Sequence, residues 1–165
     1  MLRYLDSYVT LAEIPDEISL CINIIDCPIH CKDCSEPWMW NTYKGKYPNG
    51  NTPKILNAGE IKNLVEKNDG ISCVCFMGGD IDAESINFFA KIVKDISFNK
   101  VAWYSGRTEL PKYINPSNFD YIKLGPYIKE KGPLNCSDTN QRFYNIYHNW
   151  NGVNIMLDHT EIFWK

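Results

Sequence analysis

Three cysteines stand close together in the segment Cys27-Pro28-Ile29-His30-Cys31-Lys32-Asp33-Cys34. The spacing C-x3-C-x2-C on one tight loop lets three thiolates converge on one centre. Thiolates are soft ligands that select zinc or iron–sulfur clusters. Structural zinc takes four ligands. His30 is the nearest fourth donor, but it adjoins Cys31, and neighbouring side chains usually point apart. The two separated C-x2-C units of zinc ribbons are absent. Lys32 and Asp33 make the loop polar, which argues against three merely buried thiols. An iron–sulfur cluster is the favoured reading, with a Cys3His zinc knot as the alternative. A [4Fe–4S] cluster normally takes four cysteines. Three leave one iron open, able to chelate the amino and carboxylate groups of S-adenosylmethionine.

The other four cysteines carry less. Cys73 and Cys75 alternate along one predicted strand and read as buried thiols, since free cysteine behaves as a small hydrophobe. Cys21 is similar. Cys136 lies in the polar stretch Leu134-Asn135-Cys136-Ser137, close to Asn140-Gln141-Arg142. Its functional reading is a thiol facing a partner. Seven cysteines is an odd number, and with no sign of secretion a disulfide framework is not expected.

The elements that must position the cluster follow an alternating pattern. The apolar run Ser19 to Ile25 reads as a strand that ends at the cysteines. The stretch Asn41 to Asn57, rich in Gly, Pro, Asn and Lys, reads as a long loop. Asn57 with Glu60 forms a capping box, and Ile61, Leu64 and Val65 mark a helix to about Lys67. Ile71 to Met77 is apolar throughout, so it predicts a strand buried on both faces. Asp82 caps a second helix, with Ile86, Phe89, Ala90 and Val93 as its buried stripe. Lys100 to Tyr104 is a strand, Thr108 to Tyr113 a short helix, and Phe119 to Leu124 another strand. Hairpin-like strands are expected in the aromatic tail, 132–165.

Helices between strands imply right-handed crossovers and a parallel sheet. The expected fold is thus α/β: a partial (β/α) barrel with a mainly parallel curved sheet and helices on its outer face, forming one domain over 1–165. In such sheets ligands bind at the carboxyl ends of strands. The cysteine loop, Gly78-Gly79-Asp80 and Ser105-Gly106 each follow a predicted strand directly, so they would share one edge.

With these features the sequence resembles the radical S-adenosylmethionine superfamily, whose members usually carry Gly-Gly-Glu where Gly78, Gly79 and Asp80 stand. More narrowly, Trp103 to Gly106, Gly125-Pro126-Tyr127 and Thr139-Asn140-Gln141-Arg142 resemble the anaerobic ribonucleotide reductase activating proteins. The likeness runs from about Leu2 to Arg142. It implies a [4Fe–4S] cluster on Cys27, Cys31 and Cys34, and S-adenosylmethionine cleaved to a 5′-deoxyadenosyl radical. That radical would make a glycyl radical on the large subunit of an anaerobic ribonucleotide reductase. Gly78, Gly79 and Asp80 would hold the methionine amino group through their backbone. Ser105 would lie near the methionine or ribose, and Asn140, Gln141 and Arg142 would line the open side. A flavodoxin or ferredoxin is the implied electron donor. The sequence departs from the family at Asp33, where an aromatic residue or glycine is common, and at Ser35-Glu36-Pro37. Trp38, Trp40 and Tyr43 are candidates for shielding the cluster from solvent.

Composition bounds the rest. The 165 residues are 44% hydrophobic and 22% charged, an ordinary globular mixture. A net charge of −3 does not favour phosphate-backbone binding, so no nucleic-acid partner is expected. No apolar run approaches the ~18 residues of a membrane span. Arg3, Asp6 and Glu13 interrupt the apolar run a signal peptide would need, so a cytoplasmic protein is expected. Competing readings are another radical enzyme, such as a pyruvate formate-lyase activase or a deazaguanine-forming enzyme, and a zinc-stabilised binding module without catalysis.

Overall fold

The computed structural model describes residues 1–149 and 151–164; Trp150 and Lys165, both inside the predicted tail segment, lie outside the described residues. The elements run β1 (Leu2–Thr10), β2 (Ser19–Ile24), β3 (Lys54–Leu56), α1 (Ala58–Glu66), β4 (Cys73–Met77), α2 (Ala83–Ile96), β5 (Lys100–Tyr104), β6 (Tyr121–Leu124), β7 (Arg142–His148) and β8 (Asn154–Asp158). All eight strands join one sheet in the order β3-β1-β2-β4-β5-β6-β7-β8. Its centre, β2-β4-β5-β6, is parallel. Both flanks are antiparallel: β1 with β3 on one side, β7 with β8 on the other.

The fold therefore corrects the expected one. It is an open, mixed, eight-stranded sheet with two α-helices among the described residues, and not a partial (β/α) barrel ringed by helices. Three local causes account for the difference. First, Leu2–Thr10 forms a strand that had no counterpart in the sequence reading, and it pairs antiparallel to β2. Second, the predicted helix over Thr108 to Tyr113 does not form. Pro111 sits in its middle, where it would remove a backbone donor and clash with the preceding turn; the chain makes turns there, with Ile114 N–H donating to Pro111 O at 3.0 Å. Third, the expected tail hairpin is part of the sheet itself, extending it antiparallel beside β6. The expected loop 41–57 also contains β3, which pairs with β1.

Both helices start where their caps predict. Asn57 accepts from Glu60 N–H at 3.0 Å, and Asp82 accepts from Ser85 N–H at 3.1 Å. α1 packs on α2, so both cover one face of the sheet. Beneath them lies the main core: Leu20, Ile22, Val74, Phe76, Val101 and Trp103 from the strands, against Ile61, Leu64, Ile86, Phe89 and Val93 from the helices. The opposite face holds the alternate residues, Cys21, Cys73, Cys75, Ala102 and Phe143, with Ile14 from the loop after β1. No α-helix covers that face among the described residues; a single 3-10 turn, Thr160–Phe163, brings Phe163 against it.

A bulge in β1 between Tyr4 and Asp6 bears on the site. A bulge re-aims side chains. Tyr4 points into the main core, whereas the adjacent Leu5 packs with Ile25 and Met39 in a small separate cluster, flanked by Trp38 and Tyr47. That cluster is the floor on which the cysteine loop is built.

Candidate functional site

The cysteine loop leaves the carboxyl end of β2 and is closed at its base. Cys27 N–H donates to Met39 O at 2.8 Å, and Asn41 N–H returns to Cys27 O at 3.1 Å. Cys27 and Trp40 form a short parallel bridge. Two residues take left-handed backbone angles to make the turn, Asp26 (φ 69°) and His30 (φ 50°). Asp26 is held by a two-pronged bond from Arg3, at 2.9 and 2.6 Å. Such a fork fixes orientation as well as adding energy.

Cys27, Cys31 and Cys34 are all free and half-buried. Cys31 Sγ accepts from Tyr127 N–H at 3.3 Å, and Cys34 Sγ accepts from Glu36 N–H at 3.4 Å. Burial raises the Cys27 thiol, backbone N–H groups of Ile29 and His30 oppose this, and the charge of Asp80 adds to the rise. Among the described residues no three His, Cys, Asp or Glu side chains are gathered as a metal-binding group. The three thiols share one closed loop, but they have to draw together to hold an ion. Their chemistry fits an iron–sulfur cluster: three soft donors, two already receiving N–H bonds of the kind that tunes cluster sulfurs. A zinc site needs His30, and its Nε2 is paired with Asn41 Oδ1 at 2.7 Å while the ring leans, tilted, on Trp40 at 5.0 Å.

The second strand-end motif meets the third. Gly78 and Gly79 both have positive φ, 94° and 87°. A Cβ on Gly78 would press on Ile24 O at 3.0 Å, and one on Gly79 would overlap Ile86. Only glycine fits this passage from β4 into the turn before α2. Asp80 then turns inward and is 2% exposed. Its carboxylate accepts from the Ser105 hydroxyl at 2.5 Å and from Gly106 N–H at 3.0 Å, and it faces Arg107 Nε at 3.3 Å. Arg107 also donates to Asp80 O. The side chains of Asp80 and Ser105 are thus spent on each other, and what this corner offers a ligand is backbone. Gly106 touches the cysteine loop, because a Cβ there would lie 2.9 Å from Ile29.

The last motif closes the edge. Asn140 Nδ2 donates to Pro126 O at 2.8 Å, and Gln141 Nε2 reaches Gly125 O at 3.4 Å. Gly125 (φ 112°) lets the two turns touch, since a Cβ there would sit 3.0 Å from Gln141 Cα. Asn140 Oδ1 is buried without a partner, beside a cavity of about 290 Å³. Arg142 takes a different course. It donates to Thr139 O at 2.8 Å and Gln141 O at 3.0 Å and pairs with Asp158 at 3.5 Å, so it braces its own turn. Cys136 packs against Gly132, where a Cβ would meet its sulfur at 2.6 Å. Trp38 rests on the small cluster under the loop. Tyr43 donates to Lys46 O at 2.7 Å and leans on Tyr47.

Sequence reasoning missed the cation at the middle of this edge. Lys123 of β6 lies opposite Tyr104 of β5 and donates to Gly125 O at 3.0 Å. Burial lowers its ammonium to about 8, against the opposing pull of Cys31, Asp80 and Glu13. It lines a cavity of about 390 Å³ together with Glu13, Tyr104 and Gln141. Burial raises the Glu13 carboxyl, and Lys123 works against that rise. Only the register of β5 on β6 and the return of β7 bring these groups together, and no sequence spacing signals them.

The chain matches no protein-family model, no curated protein and no solved structure in these comparisons.

Proposed function

We propose that the chain is a radical S-adenosylmethionine activase, carrying a [4Fe–4S] cluster on Cys27, Cys31 and Cys34 and generating a glycyl radical on an anaerobic ribonucleotide reductase. The observation that supports this reading most is convergence. Three loop thiols, a Gly-Gly turn, a buried Asp–Ser pair and the Asn140-Gln141 turn meet at the carboxyl edge of four parallel strands. A cluster held by Cys27, Cys31 and Cys34 would supply the one electron that cleaves S-adenosylmethionine to methionine and a 5′-deoxyadenosyl radical, the species that would take a hydrogen atom from glycine.

The chain's own residues have definable tasks in that reading. Gly78 and Gly79 present bare backbone to the amino group of the ligand. Asp80 holds Ser105 and Gly106 in place. Lys123 sets a positive charge beside Cys31 and Asp80, favouring an anionic group at this edge. The sheet face without α-helices leaves the site open to a protein substrate, and a protein covering it would exclude water. A cytoplasmic location and a flavodoxin or ferredoxin donor belong to the same proposal. Among the described residues no helix is long and apolar enough to cross a membrane.

The test is anaerobic reconstitution with iron and sulfide, followed by reduction with S-adenosylmethionine present. Expected products are 5′-deoxyadenosine and, once the reductase is added, a glycyl-radical doublet in electron paramagnetic resonance. Deoxyadenosine without a doublet would reject the assigned partner. One zinc per chain and no acid-labile sulfide, in protein purified without oxygen, would reject the radical reading.

A further inference from the structure

A cavity of about 930 Å³ lies away from the cysteine loop, on the face that carries no α-helix, at the amino ends of β5 and β6. Lys100 and Tyr121, which open those strands, line it. The cysteine edge is a strand length distant, roughly 13 Å at about 3.3 Å per residue. A volume of this size falls in the range of small-molecule sites, ~300–1,000 Å³.

Its floor is aromatic. Tyr121 and Phe143 stack at 5.6 Å, and Phe163 meets Phe143 edge-on at 4.9 Å. Next along β7, directly opposite Tyr121, stands Asn145. Its side-chain Oδ1 is buried and has no hydrogen-bond partner. A buried polar atom left unpaired costs about 1–3 kcal/mol, so its place in a cavity wall calls for a donor from a ligand. The amide carries NH2 donors in the same plane as Oδ1. This acceptor–donor pair beside aromatic rings matches the N6 and N7 edge of adenine, which asparagine amides read in bidentate fashion. Phe143 is fully buried, so the half-buried Tyr121 and Phe163 rings provide the stacking surface.

The charged groups refine the ligand. Glu17 is buried, and Lys100, Tyr121 and Ser72 all bond its carboxylate. Lys100 is thereby committed to Glu17. Asp16, an exposed residue, is part of the wall, and carboxylates pair with ribose hydroxyls in nucleotide sites. The lining thus suits a nucleoside better than its phosphates.

We propose that this cavity is a second ligand site, one that binds an adenine nucleoside through Asn145 and the Tyr121 and Phe163 rings. The site is separate from the cysteine edge and does not depend on the activase reading. Adenosine, ATP and S-adenosylmethionine carry the same nucleoside, and the tightest of the three identifies the source.

The test is calorimetric titration of the full chain, as wild type and as a variant with Cys27, Cys31 and Cys34 all changed to Ala. Adenosine is expected to bind both saturably. Inosine, whose C6 oxygen replaces the amino donor, is expected to bind more weakly by about 5- to 150-fold. Asn145→Leu should lose adenosine by a similar factor, and Asn145→Asp, closer in shape, should also weaken it. Equal affinities for adenosine and inosine in the wild type would overturn the proposal whether or not the variants fold. So would the absence of binding at millimolar adenosine. Binding lost in the triple cysteine variant but kept in Asn145→Leu would also overturn it, by placing the nucleoside at the cysteine edge.

Discussion

Asp80→Asn is the sharpest test of how the strand-end corner is held. The carboxylate is almost wholly buried and receives three groups: the Ser105 hydroxyl, Gly106 N–H and the Arg107 guanidinium. Asparagine keeps the shape but retains one acceptor oxygen. Its Oδ1 can keep Gly106 N–H, and its NH2 then faces Ser105, whose hydroxyl must turn from donor to acceptor. What is lost is the charge of the acceptor: a hydrogen bond to a charged group contributes about 1.5–3 kcal/mol, against about 0.5–1.5 for a neutral one. The Arg107 side chain is 34% exposed, so its share is screened and adds little. Over the two bonds the net loss is about 2 kcal/mol. For a chain of 165 residues, 1 kcal/mol moves the melting temperature by about 2–4 °C, so a fall of about 4–8 °C is expected. The assay is thermal unfolding of metal-free protein at pH 7 under reducing conditions, followed by circular dichroism. Asp80→Glu should also destabilise, by about 1–3 kcal/mol, since an extra methylene has no room at this depth. A fall below about 2 °C for Asp80→Asn would refute the view that this carboxylate organises the corner.

Other outcomes follow from the same geometry. Gly79→Ala must place a methyl into Ile86 at a φ of 87°, and urea unfolding should show a loss of about 1–3 kcal/mol. Burial pushes the Glu17 carboxyl up, but bonds from Lys100, Ser72 and Tyr121 outweigh this and hold it below the usual carboxylate range. A depressed carboxyl contributes stability above its unfolded pKa, about 4.3, and that stability is lost as pH falls through the folded value. Glu17→Gln should therefore be less stable near pH 7, and its melting temperature should fall less steeply than the wild type's between about pH 5 and pH 3. Cys27→Ala, Cys31→Ala and Cys34→Ala should each abolish iron and sulfide binding after reconstitution. Cys73→Ala should keep the iron, since burial drives the Cys73 thiol up and it lies on the sheet away from the loop. Equal iron loss from all four would mean that the ligands are misassigned.

Features written locally in the chain were legible. Both helix caps, the apolar strand Cys73–Met77 and the hairpin in the tail could be read because their signals lie within a few residues. The bulge at Tyr4/Asp6 breaks the alternation that would have marked β1. β3 has only three residues, too few for a period. Strand direction was not legible, because nothing in the sequence of β7 says that it returns antiparallel on β6. The same limit hid Lys123 and Glu17. Lys123 gains its place from facing Tyr104 across the sheet, and Glu17 from partners 55, 83 and 104 residues away. The motif residues were found at the expected edge, but Arg142 turned inward to carbonyls of its own turn, a choice made by loop geometry.

The closed base of the cysteine loop has a kinetic consequence. Bonds at Cys27, Met39 and Asn41 tether both ends, so the loop never samples the open chain while β2 stays paired. Its thiols then meet one another as tethered groups at effective concentrations in the millimolar range. Encounters inside such short loops take on the order of 10–100 ns. An ion held by two of these sulfurs would meet the third before dissociating, so its capture would be a local event on a folded scaffold. The three loop thiols are half-buried and so open to oxidation, whereas Cys21, Cys73 and Cys75 are sealed within the sheet.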